Sequence, residues 1–408
     1  MGLHTLPVQL ITILLLISVA VAMAVKWIKV PYPIALVIVG LIIGVFGLLP
    51  PVRITPDLIL LVFLPTLLFE AAWNLDVKQA KKDSFVIGGL ATIGVVISAL
   101  IIAGILYVWA GVSMSMALIF GAMTSATDPI SVLGVFRRLR MNKHLSSILE
   151  SESIFNDGTA AVLFQLILFF VLTDSSHPFA VTITKFPVVI LGGIAVGTLV
   201  GYFASKLVSY FDDHLLELML TTVVAYGAFL LADQFHVSSV LAVVLAGMIF
   251  GNYGKTKGMS RSTRVAVDSF WEYAAFVVSS LVFLLIGLQI QLPLLAKYAP
   301  QIGIAIIALL VSRLVLVYGL CPVLSYKKTP IPLVWKHLLF WGALRGSLSM
   351  ALALSLPVEF RGREELIVLT FGVVLFTLLV QGLTIEPLIK LLARKNPELL
   401  GRESKTAV

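Results

Sequence analysis

Stretches of about 20 apolar residues follow one another along this chain, separated by short polar segments, and a helix of that length spans the hydrocarbon core of a bilayer. The spans predicted from this pattern are 6–25, 32–49, 57–74, 84–109, 113–136, 146–172, 186–208, 214–233, 237–252, 265–291, 299–324, 334–356 and 365–392. The pattern therefore predicts an all-α polytopic membrane protein with about 13 transmembrane helices, counted below in chain order.

Basic residues fall mainly on one side when the spans are counted in order. Of the 29 lysines and arginines, 22 lie on that side, five on the other and two within spans. Because cytoplasmic loops carry the Lys/Arg excess, we expect the N-terminus outside and the C-terminus in the cytoplasm. Lys26 and Lys29 follow the first apolar stretch instead of preceding it, which favours a retained helix over a signal peptide.

The composition agrees with a chain that works inside a membrane. It is 59% hydrophobic and 12% charged, whereas soluble domains carry about 25% charged residues. We expect a single transmembrane transporter domain over 1–392 and a short cytoplasmic tail over 393–408, in a plasma membrane or bacterial inner membrane. The chain has a net charge of +8 but no basic domain with interleaved aromatic residues, so nucleic acid is not an expected partner.

Two of the spans are interrupted by small or helix-breaking residues around one charge. Helix five contains "TSATDP" and helix twelve contains "GALRGS". Pro129 explains the first break, because proline lacks an N–H group and clashes with the preceding turn. The breaks are seven helices apart, which predicts two inverted six-helix repeats, and interrupted helices at matching positions indicate a transporter's binding site.

Ionisable residues at membrane depth are unfavourable and therefore suggest function. The candidates are Asp128, Glu152, Asp157, Arg313 and Arg345, with Glu70 as an outlier. On helix six, Ser153 and Asp157 share one face, while Glu152 and Asn156 share the adjacent face. We expect Ser153 and Asp157 to face a cavity with Asp128 and Thr127, and Glu152 to turn towards an arginine.

These side chains supply oxygen ligands, which suit a hard cation. Burial disfavours the charged form of Asp157, whereas a bound cation favours it, so a proton and a cation exclude each other. This competition predicts a secondary active antiporter that works by alternating access, not an enzyme, with no cofactor.

The segments "SATDP", "ESESIFNDG" and "WGALRGSLS" together resemble those of sodium/proton exchangers of the NhaP and NHE type, in the monovalent cation/proton antiporter superfamily. The resemblance implies an NhaA-like fold with unwound crossing helices and a homodimer. It also implies a mobile core domain, which includes the helices near 113–136, 146–172 and 334–356, while the remaining helices include the dimer domain.

The same resemblance implies roles for individual residues. Asp157 would bind Na⁺ or the proton, and Asp128, Thr127 and Ser153 would complete the Na⁺ site. Asn156 would stand where electrogenic relatives have a second aspartate. Two further roles concern support: Glu152 would pair with Arg313, and Arg345 would offset partial negative charges at the helix crossing.

Several alternatives stay open at this stage. One titrating carboxylate predicts electroneutral 1:1 exchange of Na⁺, and Li⁺ as well, for H⁺, unless Asp128 also titrates. A K⁺/H⁺ antiporter would use the same mechanism, and the pH profile and physiological direction are not determined. A cation channel and an intramembrane aspartyl protease are the distant alternatives. We expect a packing role for Glu70 and a solvated helix end at Asp268 and Glu272.

Overall fold

The computed structural model describes residues 6–27, 30–49, 58–75, 77, 81, 83–172, 179–210, 213–289, 292–325, 331–396 and 399. Within these ranges the long elements are all helices. They are α1 (Leu6–Val25), α2 (Tyr32–Val45), α3 (Ile59–Asn74), α4 (Ser84–Trp109), α5a (Met114–Ser125), α5b (Ile130–Arg138), α6 (Lys143–Leu172), α7 (Phe179–Val208), α8 (His214–Gln234), α9 (Ser239–Lys257), α10 (Arg261–Leu288), α11 (Ala299–Ser325), α12a (Leu333–Trp341), α12b (Ser347–Leu354) and α13 (Arg363–Lys395).

The observed helices follow the predicted spans closely. By length and composition, nine helices in the described ranges can cross a membrane, and α1, α2 and α3 contribute shorter apolar stretches. The all-α prediction is therefore confirmed, while the count of 13 crossings and the inverted repeat stay predictions. The largest differences are in α7, which begins at Phe179 instead of 186, and in α9, which continues to Lys257 through a π-helical turn at Phe250–Gly254. Most of the tail, 397–408, lies outside the described residues apart from Leu399.

Both predicted helix interruptions are present. Helix α5a ends at Ser125, and α5b begins at Ile130 directly after Pro129. Helix α12a ends at Trp341, and α12b begins at Ser347. The two interruptions touch, because the Asp128 N–H donates to the Leu344 carbonyl over 2.9 Å. Each break thus supplies the other with backbone hydrogen-bond partners that a broken helix lacks.

Glycines allow neighbouring helices to approach at the level of the backbone. A Cβ atom at Gly197 on α7 would lie 2.4 Å from the Ala242 carbonyl oxygen on α9, and one at Gly40 on α2 would lie 2.3 Å from the Leu284 carbonyl oxygen on α10. Small residues at such contacts are typical of membrane helix packing. The glycine-rich face of α7 therefore serves packing.

A cavity of about 1070 Å³ reaches the crossing of the two interrupted helices. Its wall is formed by residues of α2, α3, α5b, α6, α10, α12b and α13 and of the break at 126–129. Exposed lining residues include Lys26, Arg137 and Arg138, so the cavity opens on the side that carries these basic residues. It connects that surface with the carboxylates at the crossing.

Candidate cation site at the helix crossing

Asp157 projects from α6 into the cavity. Its Oδ1 atom is fully buried and has no hydrogen-bond partner. The charged side chains that act on it electrostatically are Asp128 and Arg345. A buried carboxylate oxygen without a partner is unusual in a folded protein and calls for an explanation. Here the open side of this carboxylate lies in a cavity large enough for an ion and water.

Asp128 lies in the break of helix five and lines the same cavity. Its Oδ1 accepts the backbone N–H of Ile130 over 3.0 Å. Ile130 and Ser347 are the first residues of α5b and α12b. Asp128 therefore bonds the N-terminus of α5b and lies beside the start of α12b at Gly346, where a negative charge is stabilised by the helix dipoles.

Thr127 is held in place by helix α6. Its carbonyl oxygen accepts a hydrogen bond from the Ser153 hydroxyl over 2.5 Å. Its N–H donates to the Asn156 Oδ1 over 3.2 Å, and its hydroxyl oxygen accepts from the Asn156 Nδ2 over 2.7 Å. Thr127 and Ser153 line the cavity, as predicted, together with Asp128 and Asp157.

Asn156 is the one member of the predicted cation-binding or proton-binding set that does not line the cavity. It is buried on the α6 face that packs against the break of helix five, and both ends of its amide bond Thr127. Its part in ion binding stays a prediction.

Glu152 and Arg313 form the expected ion pair, and both are buried. The Arg313 guanidinium binds the two carboxylate oxygens of Glu152, with a distance of 3.0 Å from Nη2 to Oε2. The same guanidinium donates from Nε and Nη2 to the Leu339 carbonyl oxygen over 3.1 and 2.9 Å. Arg313 thus connects α6 to the carbonyl end of α12a, where a positive charge is favourable.

Arg345 lies in the break of helix twelve and is 1% exposed. Its N–H donates to the Thr377 hydroxyl over 3.1 Å, at the start of a π-helical turn of α13, and its Nη1 donates to the Ala343 carbonyl over 3.3 Å. This placement agrees with the expected role at the crossing. Arg313 shares that role through Leu339, which the sequence analysis did not anticipate.

The comparisons with known proteins agree with this geometry. The family model described as "Sodium/hydrogen exchanger, transmembrane" matches residues 12–391. The low-affinity Na⁺/H⁺ antiporter NhaS1 of Synechocystis sp. is 44% identical over 367 residues, covering 89% of this chain and 69% of the relative. The Na⁺/H⁺ antiporter NhaH of Halobacillus dabanensis is 38% identical over 405 residues, covering 95% of this chain and 98% of the relative.

The chain belongs to the sodium/hydrogen exchanger family. The fold supports the assignment: the solved structure of the sodium proton antiporter MjNhaP1 from Methanocaldococcus jannaschii superposes with a TM-score of 0.78 at 22% identity, over 93% of this chain and 100% of that one. The protein is thus an integral membrane transporter and not an enzyme.

The cavity of this exchanger is lined by further acidic residues besides the predicted Asp128 and Asp157. Glu70, Glu150, Asp268 and Glu272 all line it. The interfacial or packing role expected for Glu70 and the solvated helix end expected at Asp268 and Glu272 stay predictions, and Glu272 is exposed. Asp268 accepts hydrogen bonds from the Trp73 indole over 2.7 Å and from Lys255 over 2.6 Å.

A signal for part of this set was present in the sequence. Glu150 and Ser153 are three residues apart, and Ser153 and Asp157 four, which puts all of them on one face of α6. Apart from Asp57 at its first position, Glu70 is the lone acidic residue of the predicted span 57–74. None of the four described histidines lines the cavity, while His4 and His177 lie outside the described residues.

Proposed function

We propose that this exchanger carries Na⁺ and H⁺ alternately on the carboxylate of Asp157. The observation that carries the proposal is the buried, unpartnered Oδ1 of Asp157 in a cavity shared with Asp128. An ionised carboxylate in that position needs a counter-ion, and a neutral carboxylic acid needs a proton. Either ligand satisfies the group, and the two cannot do so together.

The proposed Na⁺ site consists of Asp157, Asp128, Thr127 and Ser153. All four line the cavity, and they offer carboxylate, carbonyl and hydroxyl oxygens. The Ser153 hydroxyl donates its proton to the Thr127 carbonyl, which leaves its own oxygen lone pairs for a cation. Asn156 supports this set from behind by holding Thr127.

Competition at one carboxylate gives a specific kinetic signature. Each Na⁺ that binds displaces one proton. At pH values below the pKa of the Asp157 carboxylate, the apparent KM for Na⁺ therefore rises about tenfold for each unit by which the pH falls. The maximal rate at saturating Na⁺ stays unchanged over the same range.

The proposed exchange is electroneutral. In this proposal Asp128 keeps one protonation state throughout the cycle, with its Oδ1 bonded to the Ile130 N–H. Asp157 then remains as the single titrating group, and one Na⁺ replaces one H⁺. Membrane potential does not drive such a cycle.

The movement belongs to the same proposal. Helices near α5, α6 and α12 carry the site as a core domain that moves against the remaining helices, in a homodimer within a plasma or bacterial inner membrane. The cavity opens on the side that carries Lys26, Arg137 and Arg138. By the excess of basic residues this side is the cytoplasm, with the N-terminus outside and the C-terminus inside.

The test uses purified protein in proteoliposomes with an internal pH dye. Gradients of Na⁺, Li⁺ and K⁺ are imposed in turn, at membrane potentials clamped by an ionophore, for the wild type and for Asp157→Asn. We expect saturable, voltage-independent proton movement with Na⁺ and Li⁺, and none above protein-free liposomes in Asp157→Asn. Asp233→Asn is the matched control, because Asp233 is exposed near the end of α8 and does not line the cavity.

The other outcomes identify the alternatives. A response to K⁺ alone would make the protein a K⁺/H⁺ antiporter, and proton flux that follows the voltage would mean that Asp128 titrates as well. Conductance without counter-ion dependence would indicate a channel. Undiminished exchange in Asp157→Asn would remove Asp157 from the mechanism.

A further inference from the structure

The hydroxyl of Ser349 differs from most helical hydroxyls in this protein. Serine and threonine side chains on membrane helices usually bond back to a carbonyl three or four residues earlier. Thr124 does so to Phe120, and Ser355 does so to Leu352 over 2.8 Å. Ser349 Oγ is fully buried and has no hydrogen-bond partner.

The break in helix twelve explains this difference. Ser349 is the third residue of α12b, so the carbonyl four residues earlier belongs to Arg345, inside the break. That carbonyl accepts the Thr377 hydroxyl over 3.4 Å. The carbonyl three residues earlier belongs to Gly346, directly before α12b, and neither of these carbonyls accepts the Ser349 hydroxyl.

Ser349 also lines the cavity that contains Asp157. Among the described residues that line this cavity, two side chains have a fully buried polar atom without a partner, and they are Asp157 and Ser349. Buried polar groups are normally satisfied by protein, water or a ligand. Each of these two atoms is therefore a position where water or a ligand in the cavity would complete the hydrogen bonding.

The neighbouring contacts place the first turn of α12b against the proposed Na⁺ site. Gly346 lies so close to the site that an added Cβ would be 1.9 Å from the Asp128 Oδ2. Ser349 follows three residues later, about one helical turn from this contact, and lines the same cavity as Asp128.

We propose that the Ser349 hydroxyl is a further oxygen ligand of the transported cation, contributed by α12b. This inference rests on the proposed site at Asp157. A hydroxyl oxygen is a hard, neutral ligand suited to Na⁺ and Li⁺. It strengthens cation binding and changes the preference between the two ions, but it adds no charge to the cycle.

The test measures exchange rates against Na⁺ and Li⁺ concentration in proteoliposomes for Ser349→Ala, Ser349→Thr and Ser355→Ala. We expect Ser349→Ala to raise the KM for Na⁺ by roughly fivefold to tenfold, with a maximal rate close to wild type and a changed ratio of Na⁺ to Li⁺ KM. Ser349→Thr keeps the hydroxyl and restores the KM. Ser355→Ala behaves as wild type, because the Ser355 hydroxyl bonds its own helix.

A second variant keeps the test valid if alanine at this position disturbs folding. Ser349→Cys keeps the shape of the side chain but replaces oxygen with soft sulfur, so the KM for Na⁺ should rise as in Ser349→Ala. The rise in melting temperature that Na⁺ produces in the wild type should shrink in both variants. An unchanged KM in Ser349→Ala and Ser349→Cys overturns the assignment of Ser349, whereas Na⁺-dependent stabilisation that persists in Asp157→Asn overturns the site itself.

Discussion

Helix α6 carries two carboxylates five residues apart, Glu152 and Asp157, whose surroundings differ. Both oxygens of Glu152 are bonded by Arg313, in a pair closed off from the cavity. Asp157 faces the cavity with an oxygen that has no partner. Protein groups thus satisfy the Glu152 carboxylate, whereas the Oδ1 of Asp157 is open to a ligand, and this difference supports the proposed transport role of Asp157.

Arg345 interacts electrostatically both with the Glu152–Arg313 pair and with Asp157. The guanidinium donates from Nη1 to the Ala343 carbonyl and has no hydrogen bond to either carboxylate. Arg345 therefore acts on the charge of Asp157 without bonding its Oδ1, the atom to which we assign the cation.

The largest effects on stability are expected for variants of the Glu152–Arg313 pair, beginning with Glu152→Gln. Removing one partner of a buried ion pair leaves an uncompensated charge on Arg313, which destabilises proteins by about 3–5 kcal/mol. We expect a large fall in melting temperature of the purified protein. Glu364→Gln is the control, because Glu364 is exposed at the start of α13 and should change stability by less than about 0.5 kcal/mol.

A double-mutant cycle identifies the source of that loss. Arg313→Gln alone should destabilise more than Glu152→Gln, because Arg313 also holds the Leu339 carbonyl. Combining both should be less harmful than the sum. Additive losses would contradict the pair as the stabilising unit.

Gly346→Ala tests the crossing that both regions share. The added Cβ would lie 1.9 Å from the Asp128 Oδ2, so Asp128 or α12b must shift, with a loss of about 1–3 kcal/mol of stability. We expect exchange to fall more steeply than stability. The matched control is Gly134→Ala on α5b, which lines the same cavity and where the added Cβ meets nothing within 4 Å. Equal losses in both variants would mean that the contact with Asp128 is not responsible.

Asn156→Ala probes the support behind the site. It removes the partners of the Thr127 N–H and hydroxyl, so we expect a loss of about 1–3 kcal/mol in stability and a higher KM for Na⁺. Melting temperature and initial exchange rates measure the two effects.

Asn156→Asp sharpens the same test. It keeps an acceptor for Thr127 and adds a carboxylate that does not line the cavity, so exchange should stay independent of voltage. Voltage-driven flux in Asn156→Asp would show that this position takes part in charge transfer.

The spans and the two breaks could be predicted because their causes are local. The length of an apolar run predicts a membrane helix, and Pro129 interrupts helix five independently of tertiary contacts. The face shared by Ser153 and Asp157 follows from helical spacing. These features depend on residues that are close in the sequence.

The remaining features depend on contacts between distant segments. The Asn156 amide could face a cation or Thr127, and only the packing of α6 against the break decides this. The carbonyl of Leu339 as a second partner of Arg313 is likewise a matter of tertiary structure. Ser349 looks like an ordinary helical serine until the break in helix twelve removes its acceptor.

The smallest effect on stability is expected for Asp157→Asn. Because the Asp157 Oδ1 has no hydrogen bond to lose, neutralising this side chain should leave the melting temperature unchanged or raise it, while exchange is abolished. Na⁺ should also no longer stabilise the variant, since stabilisation by a ligand requires its binding site. A melting temperature as low as that of Glu152→Gln would instead show that Asp157 is part of a structural ion network, and the distinction between the two carboxylates of α6 would fail.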